Sequence, residues 1–227
     1  MRHDQKENTM RRLLLPLLAA TSFMAAPALA QQPPASIAAV PENDGYAFLE
    51  APEDHTVGSN TAPNTLIIYA SITCPHCSHW FTEEWDLLKS ELIDTGDLRV
   101  VFREFLTAPA RAFATGFTIA NCAPSEKYMD VIYHQMVNQS TILESLQAGA
   151  GIEAYKSTLE VAELTEEALP ECFATQSHFA RLDTAAKRGA AGGISGVPGF
   201  ILNGQLYKGQ AKAEDLSKIF ASGVSTP

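Results

Sequence analysis

Between Thr65 and Leu92 the chain permits few architectures. Thr65-Leu66-Ile67-Ile68-Tyr69-Ala70 is a continuous apolar run, the pattern of a strand buried on both faces. A helix follows almost at once: Cys77, Phe81, Trp85, Leu88 and Leu92 recur at three- and four-residue spacing and share one face. Gly96 closes that helix, and Leu98-Arg99-Val100-Val101-Phe102 reads as a second strand. A strand, a crossover helix and a second strand imply a parallel pair within one sheet.

From about Pro109 to Arg188 the pattern turns helical. Ser125 is placed to cap a helix running to about Val137. Thr141-x-x-Glu144 has the form of a capping box, and Thr165 heads the acidic turn Glu166-Glu167. Gly192-Gly193 ends this block. Phe200-Ile201-Leu202 and Gln205-Leu206-Tyr207 then flank Asn203-Gly204, a tight hairpin turn, and an amphipathic helix covers Ala213 to Phe220. The order is βαβ, helical block, ββα: an α/β fold of residues 65–227, with a helical insertion at about 109–188 between its halves. Gln31 to about Asn64 shows no sustained period and reads as an arm with one short strand near Tyr46–Leu49.

The first thirty residues read as an address. Arg11 and Arg12 precede a short apolar run, Leu13 to Ala20, and small residues end in Ala28-Leu29-Ala30. That is the build of a secretory signal peptide, 1–30, with cleavage after Ala30. Pro16 and the small residues leave the stretch short for a transmembrane anchor. Composition agrees with a soluble globular chain: of 227 residues 46% are hydrophobic and 19% charged, enough apolar side chains for a core. The formal charge of -10, from 16 basic and 26 acidic residues, argues against a nucleic-acid partner. Export also bears on the four cysteines, since disulfides persist outside the cytosol.

Two of those cysteines form Cys74-Pro75-His76-Cys77. Their position sharpens the reading: Cys74 directly follows the buried strand and sits in the first turn of an amphipathic helix. Unpaired backbone N–H groups and the helix dipole there favour a thiolate. Cys77 falls on the apolar face with Phe81, which makes it the buried, resolving sulfur and leaves Cys74 as the exposed nucleophile. His76 lies where its ring can further stabilise a Cys74 thiolate, and Pro75 suits the first helical position. Stabilising the thiolate stabilises the reduced state, so the disulfide becomes a stronger oxidant. The competing readings are weaker. Half of a zinc site would need two more ligands, yet Cys122 and Cys172 are distant and His79 follows Cys77 too closely. An inert structural disulfide would waste a reactive position. No metal and no cofactor is expected.

Further along stands Ser195-Gly196-Val197-Pro198-Gly199. Taken alone Pro198 reads as an ordinary turn proline, since only about 5–6% of X–Pro bonds are cis. In combination, however, the helix-leading Cys74-Pro75-His76-Cys77, the helical block after the second strand and Gly196-Val197-Pro198 before a hairpin resemble the DsbA family of thioredoxin-fold oxidoreductases. The resemblance spans roughly Thr65 to Phe220. Tyr69-Ala70-Ser71-x-x-Cys74-Pro75-His76-Cys77, Asp94-Thr95-Gly96 and Val101-Phe102-Arg103-Glu104-Phe105 are similar to its alphaproteobacterial branch.

The resemblance implies a cis Val197–Pro198 bond facing the Cys74–Cys77 pair, with Val197 backbone groups pairing an extended client segment. It implies a second, non-catalytic disulfide between Cys122 and Cys172, consistent with two further cysteines in an exported chain. It implies a periplasmic oxidase for unfolded or reduced exported polypeptides, reoxidised by a membrane oxidase of the DsbB type. Two positions depart from the family: Ile68 stands where a buried Glu is usual, and Val197 where much of that branch has Thr.

Rival functions remain distinguishable. A reductase or isomerase would use the same fold, but a DsbC-like isomerase carries its own dimerisation domain. The arm is short for that, which favours a monomer. A soft-metal chaperone would use Cys74, Cys77 and His76 or His79. A holdase would bind unfolded chains without thiol chemistry. His79, His134 and His178 read as surface or packing residues with no evident carboxylate partner, and Trp80 and Trp85 as core or rim of the first helix.

Overall fold

A computed structural model describes residues 45–222. The leader, its cleavage point after Ala30 and the arm up to residue 44 lie outside the described residues.

The apolar run forms β2 (Asn64–Ala70), the central strand of a five-stranded sheet ordered β1-β3-β2-β4-β5. β1 is His55–Val57, β3 Leu98–Glu104, β4 Gly199–Leu202 and β5 Gln205–Tyr207. β2 pairs in parallel with β3, setting Ile68 opposite Phe102 and Ala70 opposite Glu104. On its other edge it pairs antiparallel with β4, Ile68 opposite Phe200. Side chains alternate between faces, so Leu66, Ile68 and Ala70 enter one apolar cluster and Ile67 and Tyr69 another. Both faces are covered, which is why the strand tolerates no polar alternation.

The crossover helix α1 (Pro75–Leu88) buries Cys77, Phe81 and Leu88 completely against the first cluster. A π-helical turn, Lys89–Ile93, extends it. Gly96, at φ +86°, reverses the chain into β3. The hairpin turn likewise uses positive φ at Asn203 (48°) and Gly204 (81°), the mirror-image geometry that matches the twist of its strands.

The insertion comprises α2 (Ala110–Cys122), α3 (Tyr128–Val137), α4 (Gln139–Gln147), α5 (Lys156–Val161), α6 (Leu169–Ala174) and α7 (Gln176–Ala191); α8 (Ala213–Ser222) closes the fold. Cys122 at the end of α2 and Cys172 in α6 are joined as a disulfide, their Cα atoms 5.9 Å apart. Two helix starts differ from the sequence expectation. Ser125 opens a 3₁₀ turn without a side-chain cap, and the helix proper begins at Tyr128. Thr141 lies inside α4, because Asn138 breaks α3 by donating its side-chain amide to the His134 carbonyl at 2.8 Å.

The strand expected near Tyr46–Leu49 is absent; the edge strand is β1. The reason is Arg103 on β3, only 2% exposed. Its guanidinium donates to the carbonyls of Tyr46 (2.8 Å) and Leu49 (2.7 Å), to Tyr69 Oη (2.7 Å) and to both oxygens of Asp54 (3.1 and 2.7 Å). Segment 46–54 wraps around that buried cation, so its carbonyls serve the guanidinium and not a strand partner. Arg99 adds a fork onto Glu50, at 2.6 and 2.7 Å. Among the described residues no helix is long and apolar enough to cross a membrane.

Candidate redox site

β2 ends at Ala70, and the loop Ser71–Thr73 carries the chain to the N-terminus of α1. Cys74 is the N-cap residue in extended conformation, φ -93° and ψ 119°, and Pro75 is the first helical residue, where a missing N–H costs nothing. The amides of Cys77 and Ser78 both donate to the Cys74 carbonyl at 3.1 Å, closing the first turn. Both thiols are free; Cys74 is half-buried, whereas Cys77 is fully buried.

That difference sets their chemistry. Burial pushes the Cys77 thiol well above the ordinary range, opposed by the Ser71 N–H, which donates to its Sγ at 3.4 Å, and reinforced by the neighbouring Cys74. Cys77 is therefore a basic sulfur that holds its proton. The Cys74 thiol faces outward and donates to the Val197 carbonyl oxygen at 3.5 Å. The Val197–Pro198 bond is cis, as is Ala108–Pro109, which spacing gave no means of anticipating. His76 is exposed, and with Trp80, Val197 and Pro198 it lines an open groove beside Cys74. Trp80 is buried and anchors its indole N–H on the Gln210 carbonyl at 2.6 Å.

Several residues at the site were invisible to sequence reasoning. Ser71, Thr73 and Thr107 close a triangle of hydroxyl hydrogen bonds of 3.0, 2.7 and 2.6 Å, tying the loop before Cys74 to the one after β3. Gln139, at the start of α4, donates to the carbonyls of Ile72 (2.9 Å) and Cys74 (3.0 Å). No local pattern signals either, since the partners are brought together only by the fold.

Ile68 is wholly buried between Phe102 and Phe200. A buried carboxylate does stand one strand over, at Glu104, which accepts from Asn121 Nδ2 at 2.6 Å and Tyr128 Oη at 3.0 Å. Burial raises it to about 7, against those hydrogen bonds and Arg181. Beneath it His55 stacks on Tyr128 at 3.4 Å, and burial lowers its imidazole to about 4. His79 is exposed and does have a carboxylate partner, Glu83, at 3.3 Å. His134 meets Ser157 Oγ at 3.0 Å, and His178 is buried. Among the described residues no three His, Cys, Asp or Glu side chains gather as a metal cluster.

Sheet order, crossover helix and a dithiol at a helix N-terminus together define a protein of the thioredoxin fold. The family model described as Thioredoxin matches residues 50–221, and the chain belongs to that family. Among solved structures it is similar to alpha-DsbA1 of Wolbachia pipientis, at 20% identity and a TM-score of 0.66, over 77% of this chain and 92% of that one. A protein-disulfide isomerase from Novosphingobium aromaticivorans matches at 20% identity and TM-score 0.60, over 74% of this chain and 96% of its own. BdbD from Bacillus subtilis, in its oxidised form, matches at 15% and 0.60, over 74% and 91%. The fold is thus one that these structures share. No curated protein sequence matches the chain.

Proposed function

We propose that the protein is a thiol-disulfide oxidoreductase that donates the Cys74–Cys77 disulfide to reduced, exported polypeptides in the periplasm. The observation that carries this reading is the asymmetry of the pair: Cys74 half-exposed at a helix N-terminus against the Val197 carbonyl, Cys77 sealed beneath it. In the oxidised protein a client thiolate attacks Cys74 Sγ. The Cys74–Cys77 bond breaks and the electron pair leaves on Cys77, whose sulfur accepts the Ser71 N–H and then a proton. A second client thiolate attacks the client sulfur of the mixed disulfide, forming the client disulfide and releasing Cys74 as thiolate. Two electrons pass from client to enzyme.

Once released, Cys77 holds its proton, as its burial requires. A sulfur that holds its proton is a poor nucleophile, so the mixed disulfide is left for the client's second thiol to resolve. The groove along Val197 and Pro198 would hold an extended client strand, its backbone pairing with that of Val197. A membrane oxidase of the DsbB type would restore the disulfide, and Cys122–Cys172 would serve only structure.

Equilibration of the Cys74–Cys77 couple with glutathione tests the reading. A potential near the value of about −120 mV known for DsbA is expected; one near the thioredoxin value of about −270 mV would place the protein among reductants instead.

A further inference from the structure

The loop that presents Cys74 is gripped from two sides. On one, the Ser71–Thr73–Thr107 hydroxyl triangle ties it to the loop after β3. On the other stands Gln139, the first residue of α4 and only 6% exposed. Its side-chain NH₂ is shared between two acceptors: the Ile72 carbonyl at 2.9 Å and the Cys74 carbonyl at 3.0 Å. Those acceptors lie in the Ile72–Thr73 and Cys74–Pro75 peptides, so one amide fixes the peptide planes on either side of the Thr73-Cys74 pair. A buried side-chain amide with both protons committed to main chain has little freedom to move.

The second acceptor belongs to the cysteine itself. The Cys74 carbonyl already receives the amides of Cys77 and Ser78. It belongs to the same residue as the thiol that donates to the Val197 carbonyl, a hydrogen bond the pair can make only when reduced, and each donor on it fixes the backbone from which that bond is made. Gln139 adds a donor that the helix cannot supply.

We propose that Gln139 is a positioning residue of the redox site, acting through the Ile72 and Cys74 carbonyls to fix Cys74 against Val197 and to favour the reduced state. The proposal rests on the reading of Cys74 as the attacked sulfur. It also gives the helical insertion a part in the chemistry, since α4 supplies the donor.

Two variants of nearly equal size test it. Gln139→Met removes both donors, and Gln139→Glu sets a carboxylate against both carbonyls. In each, the equilibrium of the purified protein with glutathione should shift towards the disulfide, by about fivefold for Gln139→Met, the worth of one ordinary hydrogen bond, and by more for Gln139→Glu. A structural role alone would lower the unfolding midpoint and leave this equilibrium in place, so values within twofold of wild type in both variants overturn the proposal. A wild-type protein that exchanges nothing with glutathione would instead overturn the redox reading beneath it. The unmodified protein supplies a readout if a variant fails to fold. The side-chain amide resonances of Gln139 should differ between reduced and oxidised samples, and identical resonances overturn the proposal.

Discussion

The Cys74 thiol meets the carbonyl oxygen of Val197 at 3.5 Å across 123 residues of sequence. One belongs to the βα turn of the first half of the fold, the other to the loop entering the hairpin of the second. The whole helical insertion lies between them in the chain, yet the sheet closes over that separation because β2 pairs directly with β4. A client strand lying along Val197 would bring its own sulfur to Cys74.

Substituting the two sulfurs separately should give different outcomes. Cys74→Ser removes the attacked sulfur, and disulfide transfer to a reduced peptide should fall to the uncatalysed rate. Cys77→Ser leaves Cys74 able to form mixed disulfides, which should accumulate on non-reducing gels after incubation with disulfide-bearing clients. Full transfer by Cys74→Ser would sink the assignment.

Glu104 makes stability depend on pH. Its folded-state value of about 7 lies above the 4.5 of an exposed Glu, so the folded protein keeps a proton that the unfolded chain releases. Stability from this group is therefore complete below about 4.5 and is lost as pH rises towards 7. The full span corresponds to roughly 3 kcal/mol. His55 acts oppositely: with a folded value of about 4 against 6.5, its contribution is present above 6.5 and lost as pH falls towards 4. Glu104→Gln keeps an acceptor for Asn121 and Tyr128 and removes the first dependence. Urea denaturation should show the variant gaining on wild type between pH 5 and 7.5; parallel pH curves would contradict this.

Asp54 is the anionic partner of the buried Arg103, the two side chains being 6% and 1% exposed. Asp54→Asn leaves the guanidinium buried with its charge uncompensated, a change that costs about 3–5 kcal/mol. Residues 46–54 lose one of their ties to the sheet with it. Chemical denaturation measures the loss, and protease cleavage within 46–54 should quicken in parallel. A cost under about 1 kcal/mol would mean that the pair is solvated, as surface ion pairs are.

Joining Cys122 to Cys172, 50 residues apart, restricts the unfolded chain by about 4 kcal/mol on a loop-entropy account. The double variant Cys122→Ala/Cys172→Ala should unfold at correspondingly lower urea and still transfer disulfides. Loss of transfer by a folded double variant would give this pair a part in the exchange.

Much of the frame is readable along the chain. The apolar run Thr65–Ala70, the spacing of Cys77, Phe81, Trp85 and Leu88, and the Asn203-Gly204 turn are local patterns, and each is realised where it stands. They survive because burial on both faces of a central strand, or along one stripe of a helix, reinforces the local preference. The edge is different. Tyr46–Leu49 has strand-like composition but gives its carbonyls to Arg103, a partner 57 residues away for Tyr46. Thr141 and Glu144 satisfy a capping pattern that α4 does not use, because the helix starts two residues earlier, at Gln139.

At the site, sequence determined the dithiol, its seat at a helix N-terminus and which sulfur faces the core, all consequences of spacing within one helix. Tertiary structure alone decided what surrounds it: the Ser71–Thr73–Thr107 triangle, the grip of Gln139 and the carboxyl group of Glu104 beside Tyr128. A hydrogen bond between side chains on different elements leaves no period in the sequence. A residue such as Gln139 becomes legible only once packing has excluded water and left two main-chain carbonyls within its reach.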